Sequence, residues 1–264
     1  LNNREHDMAR SLEGKVAIVT GASRGIGAAI AEELAREGAS VMLAARSADA
    51  LQMRAAAFGS QAAVHVADLR EPGAPAALAA ATLARFGKID VVVANAGATK
   101  RGDFLELSDA DWQDGFALKF FAHMRLIRAA WPELKKSRGS VVMISGIGGR
   151  TPGAEFTIGG SVNAALLSLT KSLADRGVGD GIRVNTINPG DIRTDRLARR
   201  VKAAQERFGV DAAEAERRMI AADRVVRFGE PADIAGLVSF IAGPRGGFLH
   251  GAIVDMDGGK TKTT

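Results

Sequence analysis

The chain has 264 residues, of which 47% are hydrophobic and 25% charged, and it carries a net charge of +5. This mixture supplies a sizeable core and excludes the disordered and fibrous classes. With no cysteine and only four histidines, disulfides, thiolate metal ligands and a cysteine nucleophile are excluded, and no metal site is expected.

In chain order, short apolar or β-branched runs alternate with longer segments whose apolar residues recur three and four apart. A strand at 16–20 leads to a helix at 28–36, and a second strand at 41–45 leads to a third at 63–66. A helix at 74–86 and a strand at 91–94 follow, then a long helix at 110–134, a strand at 141–145, a helix at 160–176 and a strand at 184–187. Helical patterns at 195–222 and 232–242 precede a last strand at 253–255. Strands that are apolar throughout must be buried on both faces. The expected fold is therefore α/β: a doubly wound, mostly parallel, seven-stranded sheet with helices on both faces, Rossmann-like in layout. No repeat or low-complexity linker divides the chain, so residues 1–264 are expected as one domain with an N-terminal extension at 1–11. The segment 195–227 breaks the alternation and is expected either as a helical lid over substrate or as a cap on the sheet.

Residues 20–27, Thr-Gly-Ala-Ser-Arg-Gly-Ile-Gly, join the first strand to the first helix. Gly21, Gly25 and Gly27 let the chain turn tightly, so that backbone N–H groups around Ser23, Arg24 and Ile26 approach a pyrophosphate at the positive end of the helix. In a chain with 31 glycines that spacing arises readily by chance, and its placement between strand and helix is what gives it meaning. The second strand ends in Ala45-Arg46. A carboxylate there would bind the ribose hydroxyls of NAD, whereas Arg46, seconded by Arg24, suits the 2′-phosphate of NADP, so NADP(H) is expected in preference to NAD(H).

The ordered set of motifs resembles the short-chain dehydrogenase/reductase family, in the manner of acyl-carrier-protein ketoreductases, over about residues 12–259. Besides the glycine loop it includes Asp68-Leu69, Asn95-Ala96-Gly97, Asn188-Pro189-Gly190 with Ile192 and Thr194, and Asp257-Gly258-Gly259. The resemblance implies that Asp68 and Leu69 touch adenine and that Asn95, Ala96 and Gly97 border its ribose. It likewise implies that Pro189, Gly190, Ile192 and Thr194 hold the nicotinamide amide and phosphates. It also implies homo-tetramers or homo-dimers formed through the helices at 110–134 and 160–176.

Catalysis in the family uses an Asn, a Ser, a Tyr and a Lys. The Asn follows seven residues after Trp112, which is Lys119; the Ser falls on Gly146, with Ser145 before it; the Tyr falls on Gly159 and the Lys on Asn163. All four are replaced, and no shift of register restores the relay, because the chain contains no tyrosine. Lys171 is no substitute: eight residues at ~3.6 per turn leave it about 80° from Asn163, facing solvent. Lysine and asparagine have exchanged positions, which suggests a rebuilt site. Lys119, its pKa lowered by burial and nearby cations, would donate the proton or clamp a developing alkoxide; Asn163 would bond the ribose and Ser145 the substrate oxygen. Equally, Lys119 could be an exposed or interface lysine. His123, one turn on, shares that pocket or is a packing residue. Glu155, Thr157 and Ser161 flank the lost tyrosine as proton-transfer groups or as ordinary first-turn residues. Gly159 and Gly160 either widen the pocket or let helices pack closely, and Phe156 and Phe248 are pocket walls or plain core.

Two functions follow: an atypical NADP(H)-dependent oxidoreductase acting on a carbonyl or alcohol, or a non-catalytic NADP(H)-binding sensor, regulatory or partner subunit. The small-molecule substrate is not legible. Lys135-Lys136, Arg199-Arg200 and Arg217-Arg218 lack interleaved aromatics and read as solvated helix faces, so no nucleic acid is expected. No apolar run approaches the ~20 residues that span a bilayer, and residues 1–14 lack the apolar stretch and cleavage site of a signal peptide. A soluble, cytoplasmic protein with no membrane partner is expected.

Overall fold

A computed structural model describes residues 10–263; residues 1–9 of the expected extension lie outside them. The strands are β1 (Val16–Thr20), β2 (Ser40–Ala45), β3 (Ala62–Val66), β4 (Val91–Ala94), β5 (Ser140–Ile144), β6 (Arg183–Pro189) and β7 (Ile253–Met256). They form one seven-stranded sheet in the order β3-β2-β1-β4-β5-β6-β7, with every pairing parallel. The period of two along each strand divides its apolar residues between two cores. Ala17 and Val19 of β1 join one core while Ile18 joins the other; Val142 and Ile144 of β5 separate from Val141 and Met143 in the same way. The first core is completed by α1 (Gly25–Arg36) and α9 (Pro231–Ala242), the second by α3 (Ala74–Phe86), α5 (Ala122–Ser137) and α6 (Thr157–Asp180).

Three elements depart from the expected layout. A helix, α2 (Ala48–Phe58), follows β2; it buries only Leu51, so it shows no apolar stripe from which to predict it. The long helix expected at 110–134 is α4 (Asp109–Phe116), capped by the reciprocal Ser108–Asp111 box, then a π turn at Ala117–Phe121, then α5. The helix expected at 195–222 is broken by Gly209, whose φ of +63° caps the first of two helices, a left-handed conformation glycine adopts freely. The pair is α7 (Asp195–Phe208) and α8 (Ala212–Asp223). Leu197, Val201, Ala215 and Phe228 give it a small core of its own.

Strand order reverses between β1 and β4. Loops leaving the carboxyl ends of these two strands diverge to opposite faces and open a crevice, the usual ligand position in such sheets. Among the described residues no helix is long and apolar enough to cross a membrane.

Candidate active site

The crevice is built from β1 and β4 upward. Thr20 Oγ1 accepts the N–H groups of Asn95 (2.9 Å) and Ala96 (3.0 Å), and Asn95 Nδ2 donates to Thr20 O (2.9 Å). This pinning leaves no room for side chains on the glycine loop: a Cβ on Gly27 would lie 2.3 Å from Gly21 O and 2.5 Å from Asn95 Nδ2. Helix α1 begins after Arg24 with no side-chain cap, so its first N–H groups remain available to an anion. All the sequence-predicted cofactor residues, from Gly21 to Gly27 through Arg46, Asp68, Leu69, Asn95, Ala96 and Gly97 to Pro189, Gly190, Ile192 and Thr194, line one open cleft of about 1600 Å³.

At the β2 end, Arg46 lies 3.6 Å from Asp68, and Asp68 is also held by Arg70 at 3.2 Å. Burial opposes ionisation of Asp68, but the backbone N–H of Arg70, at 3.0 Å, its guanidinium and the charge of Arg46 together keep the carboxyl below the usual range. Arg24 reaches Asp195 at the start of α7, 3.1 Å away. Arg54 of α2 donates to Ser23 O at 2.8 Å and steadies the glycine loop. That contact was hidden in the sequence because α2 itself carried no signal.

At the β5 end, Lys119 occupies the π turn. Its stem lies over Gly97, where a Cβ would come within 3.0 Å of Lys119 Cδ. The side chain is only 9% exposed, and Nζ donates to Ser145 O at 2.8 Å. Burial, with the charge of Arg196 facing it, pushes the ammonium pKa down to about 7. Lys119 is therefore a buried cleft residue, and the exposed or interface alternative falls away. Ser145 Oγ donates to Asn163 O at 3.2 Å, so the serine supports Lys119 through its carbonyl while its hydroxyl is engaged on α6. Asn163 is 1% exposed and its Oδ1 has no hydrogen-bond partner. A Cβ at Gly146 would stand 3.0 Å from Asn163 Nδ2, so these two replacements fit each other. An uncapped helix end, a loop that excludes side chains and an orphaned amide oxygen in one cleft fit a nicotinamide dinucleotide.

The position of the missing tyrosine is filled rather than empty. A Cβ on Gly159 would lie 2.1 Å from the Phe156 ring, and one on Gly160 would lie 2.9 Å from Pro152 Cβ. The glycines thus admit close packing and do not enlarge the cleft. Phe156 is a cleft wall, whereas Phe248 is fully exposed and belongs to neither wall nor core. His123 is buried and packs: its ring Nε2–H donates to Ala96 O at 2.8 Å. Burial pushes its pKa down to about 4, so it stays neutral. Glu155 and Ser161 are exposed and, with Thr157, lie outside the cleft lining. Lys171 is exposed and donates to Gly251 O at 2.6 Å. Lys135 and Lys136, like Arg217 and Arg218, make ion pairs on helix surfaces. Arg199 and Arg200 instead line the cleft: the first turns of α7 run along its mouth, which turns that helix face inward.

Residues 21–261 match the family model described as enoyl-(acyl carrier protein) reductase. An uncharacterized oxidoreductase of Mycobacterium tuberculosis (strain CDC 1551 / Oshkosh) is 38% identical over 260 residues, which cover 97% of this chain and 95% of that relative. The structure of L-sorbose reductase from Gluconobacter frateurii, complexed with NADPH and L-sorbose, superposes with a TM-score of 0.90 at 31% identity, covering 97% of this chain and 100% of that one. A short-chain oxidoreductase of Pseudomonas aeruginosa PAO1, described as containing an atypical catalytic center, superposes with a TM-score of 0.89 at 28% identity over 96% of this chain and 100% of that one.

Proposed function

The chain belongs to the short-chain dehydrogenase/reductase family, and from that premise we propose that it is an NADP(H)-dependent oxidoreductase interconverting a carbonyl and an alcohol, with Lys119 in place of the tyrosine relay. The observation that carries this reading is the Lys119 ammonium, buried in the lining of the cleft and bonded to a backbone carbonyl, in a chain without tyrosine.

The glycine loop and the N-terminus of α1 would receive the pyrophosphate, Arg24 and Arg46 the 2′-phosphate, and Asn163 Oδ1 a ribose hydroxyl. Bound NADPH supplies hydride. The chain supplies position and the proton. Lys119 Nζ–H would donate to the substrate oxygen as negative charge develops there, and a pKa of about 7 suits a general acid that must be both protonated and willing to release its proton near neutrality. Ser145 O holds the ammonium in place. The α7–α8 pair, residues 195–227 with its connection, would act as the lid that excludes water. NADPH in the sorbose reductase complex and the atypical centre of the Pseudomonas oxidoreductase support the two halves of this reading.

The test is NADPH oxidation followed against a panel of carbonyl compounds. Wild-type kcat/KM should fall as pH rises through about 7, because the protonated form of Lys119 is the donor. Lys119→Met should lower the rate by about 10²–10⁴-fold and flatten the pH profile. Full activity in that variant, or NADPH binding with no turnover on any carbonyl, would overturn the proposal.

A further inference from the structure

Four cations gather along the cleft wall on the side of Lys119, with Arg101, Arg196 and Arg199 exposed to solvent and Arg200 half-buried. Arg196 and Arg199 project from the first turns of α7, three residues apart and so on one helix face. Arg200 follows one position later, and Arg101 arrives from the loop after β4. All line the cleft together with Lys119. The guanidinium carbon of Arg101 stands over the Phe156 ring, 4.2 Å from its centroid, and that ring occupies the tyrosine position. Arg101 therefore stands over the place where the reacting end of a substrate belongs.

The acids near this cluster are few and mostly engaged. Asp191 is held by Arg200 and by Lys260, the latter at 3.1 Å, and Lys260 is shared with Asp223 at 2.6 Å. Glu155 faces Arg101 without an ion pair to it. Among the described residues, no ion pair or hydrogen bond forms on the guanidinium of Arg101, Arg196 or Arg199. By contrast, Arg24, Arg46 and Arg193 each have a carboxylate partner at 3.6 Å or less. The charges of Arg101, Arg199 and Arg200 all bear on Arg196, and that of Arg196 on Lys119, so these groups share one electrostatic neighbourhood. Like charges one turn apart weaken a helix, and a cluster of unmatched guanidiniums on a cleft wall is satisfied by an anion that accepts their forked N–H groups.

We propose that the cleft takes a carbonyl or alcohol substrate bearing a carboxylate or phosphate group, gripped at the mouth by Arg101 and Arg196 with Arg199 beside them, while its reacting oxygen meets the buried Lys119. The proposal rests on the oxidoreductase reading above. In the reductive direction, hydride from NADPH forms the new C–H bond, the carbonyl π bond breaks, and its oxygen takes the proton of Lys119. NADPH leaves as NADP⁺, and water returns a proton to the amine. The anionic group does not react; it orients the substrate.

The experiment is calorimetric titration of the full chain saturated with NADP⁺, using probes matched in all but charge: 4-oxopentanoate against its methyl ester, and dihydroxyacetone phosphate against dihydroxyacetone. At least one anion should bind ten-fold or more tightly than its neutral counterpart, and the pair that responds identifies carboxylate or phosphate. Arg196→Gln and Arg101→Gln should each reduce the anion's affinity to that of the neutral probe. Arg196→Lys should recover part of it, and NADP⁺ affinity should stay within two-fold in all three. Equal binding of charged and neutral probes overturns the proposal. So does a parallel ten-fold loss of NADP⁺ affinity, which would assign these arginines to the cofactor's phosphates. Failure of the wild type to bind NADP⁺ would instead overturn the oxidoreductase reading, and the same titrations without cofactor would then decide the clamp.

Discussion

Phe156 closes the space a tyrosine side chain would need, and Gly159 makes that possible, since any Cβ there would collide with the ring. The two residues form a single replacement. Gly146 and Asn163 form another, the glycine leaving room for the amide. The resemblance to the family assigned Lys119, Gly159 and Asn163 to the tetrad positions, but which of them would be buried, and what would fill the vacated volume, depended on neighbours far away in sequence. Arg46 is a residue whose place at the cleft was legible at once, because the end of the second strand is a fixed point of such sheets. Arg46→Asp should swing preference from NADPH toward NADH by about ten-fold or more, the worth of a charge-assisted contact to phosphate set against a new repulsion. Unchanged selectivity in paired NADPH and NADH titrations would remove Arg46 from the 2′-phosphate site.

Two irregular elements set the chemistry. The π turn at Ala117–Phe121 interrupts what the hydrophobic pattern presents as one helix, and Lys119 sits at its centre; one extra residue in a turn rotates the following side chains around the axis. Periodicity could not reveal it, because the apolar stripe continues on either side. The break at Gly209 makes α7 and α8 a hairpin with a separate small core. A substructure with so little burial should open on its own, below the stability of the sheet. Phe228→Ala removes the largest side chain of that core and should cost it roughly 3–5 kcal/mol. Amide exchange should then speed across 195–223 while β1, β4 and β5 keep their protection. Uniform loss of protection would make the pair part of the main cooperative unit and count against its acting as a lid.

For the whole molecule, Lys119 links the site to stability. Its folded pKa of about 7 lies below the ordinary lysine value of 10.5. Above the higher value the amine is neutral whether folded or not, and burial of its charge costs nothing. As pH falls toward the lower value only the unfolded chain takes up the proton, so the folded state loses stability; below it the full penalty is present. Urea unfolding of the wild type and Lys119→Met should therefore diverge on acidification. Relative to the variant, the wild type should be less stable near pH 6.5 than near pH 9.5 by roughly 3 kcal/mol. A difference independent of pH would mean that Lys119 is not desolvated in the folded protein.

The seven strands, the burial of the inner five and the cleft beside the glycine loop were determined by the sequence itself, because an unbroken apolar run flanked by crossover helices has few stable arrangements and the glycine loop reads locally, while the edge strands β3 and β7 are only half-buried. The absence of tyrosine was equally plain. Only the tertiary structure decided what stands in its place. It buried Lys119 against Ser145, put Phe156 in the aromatic slot, and brought Arg199 and Arg200 from an expected solvent face to the lining of the cleft. The reason is physical: backbone pattern is encoded by neighbours along the chain, whereas the burial and charge that tune a side chain are supplied by residues that meet only when the sheet closes.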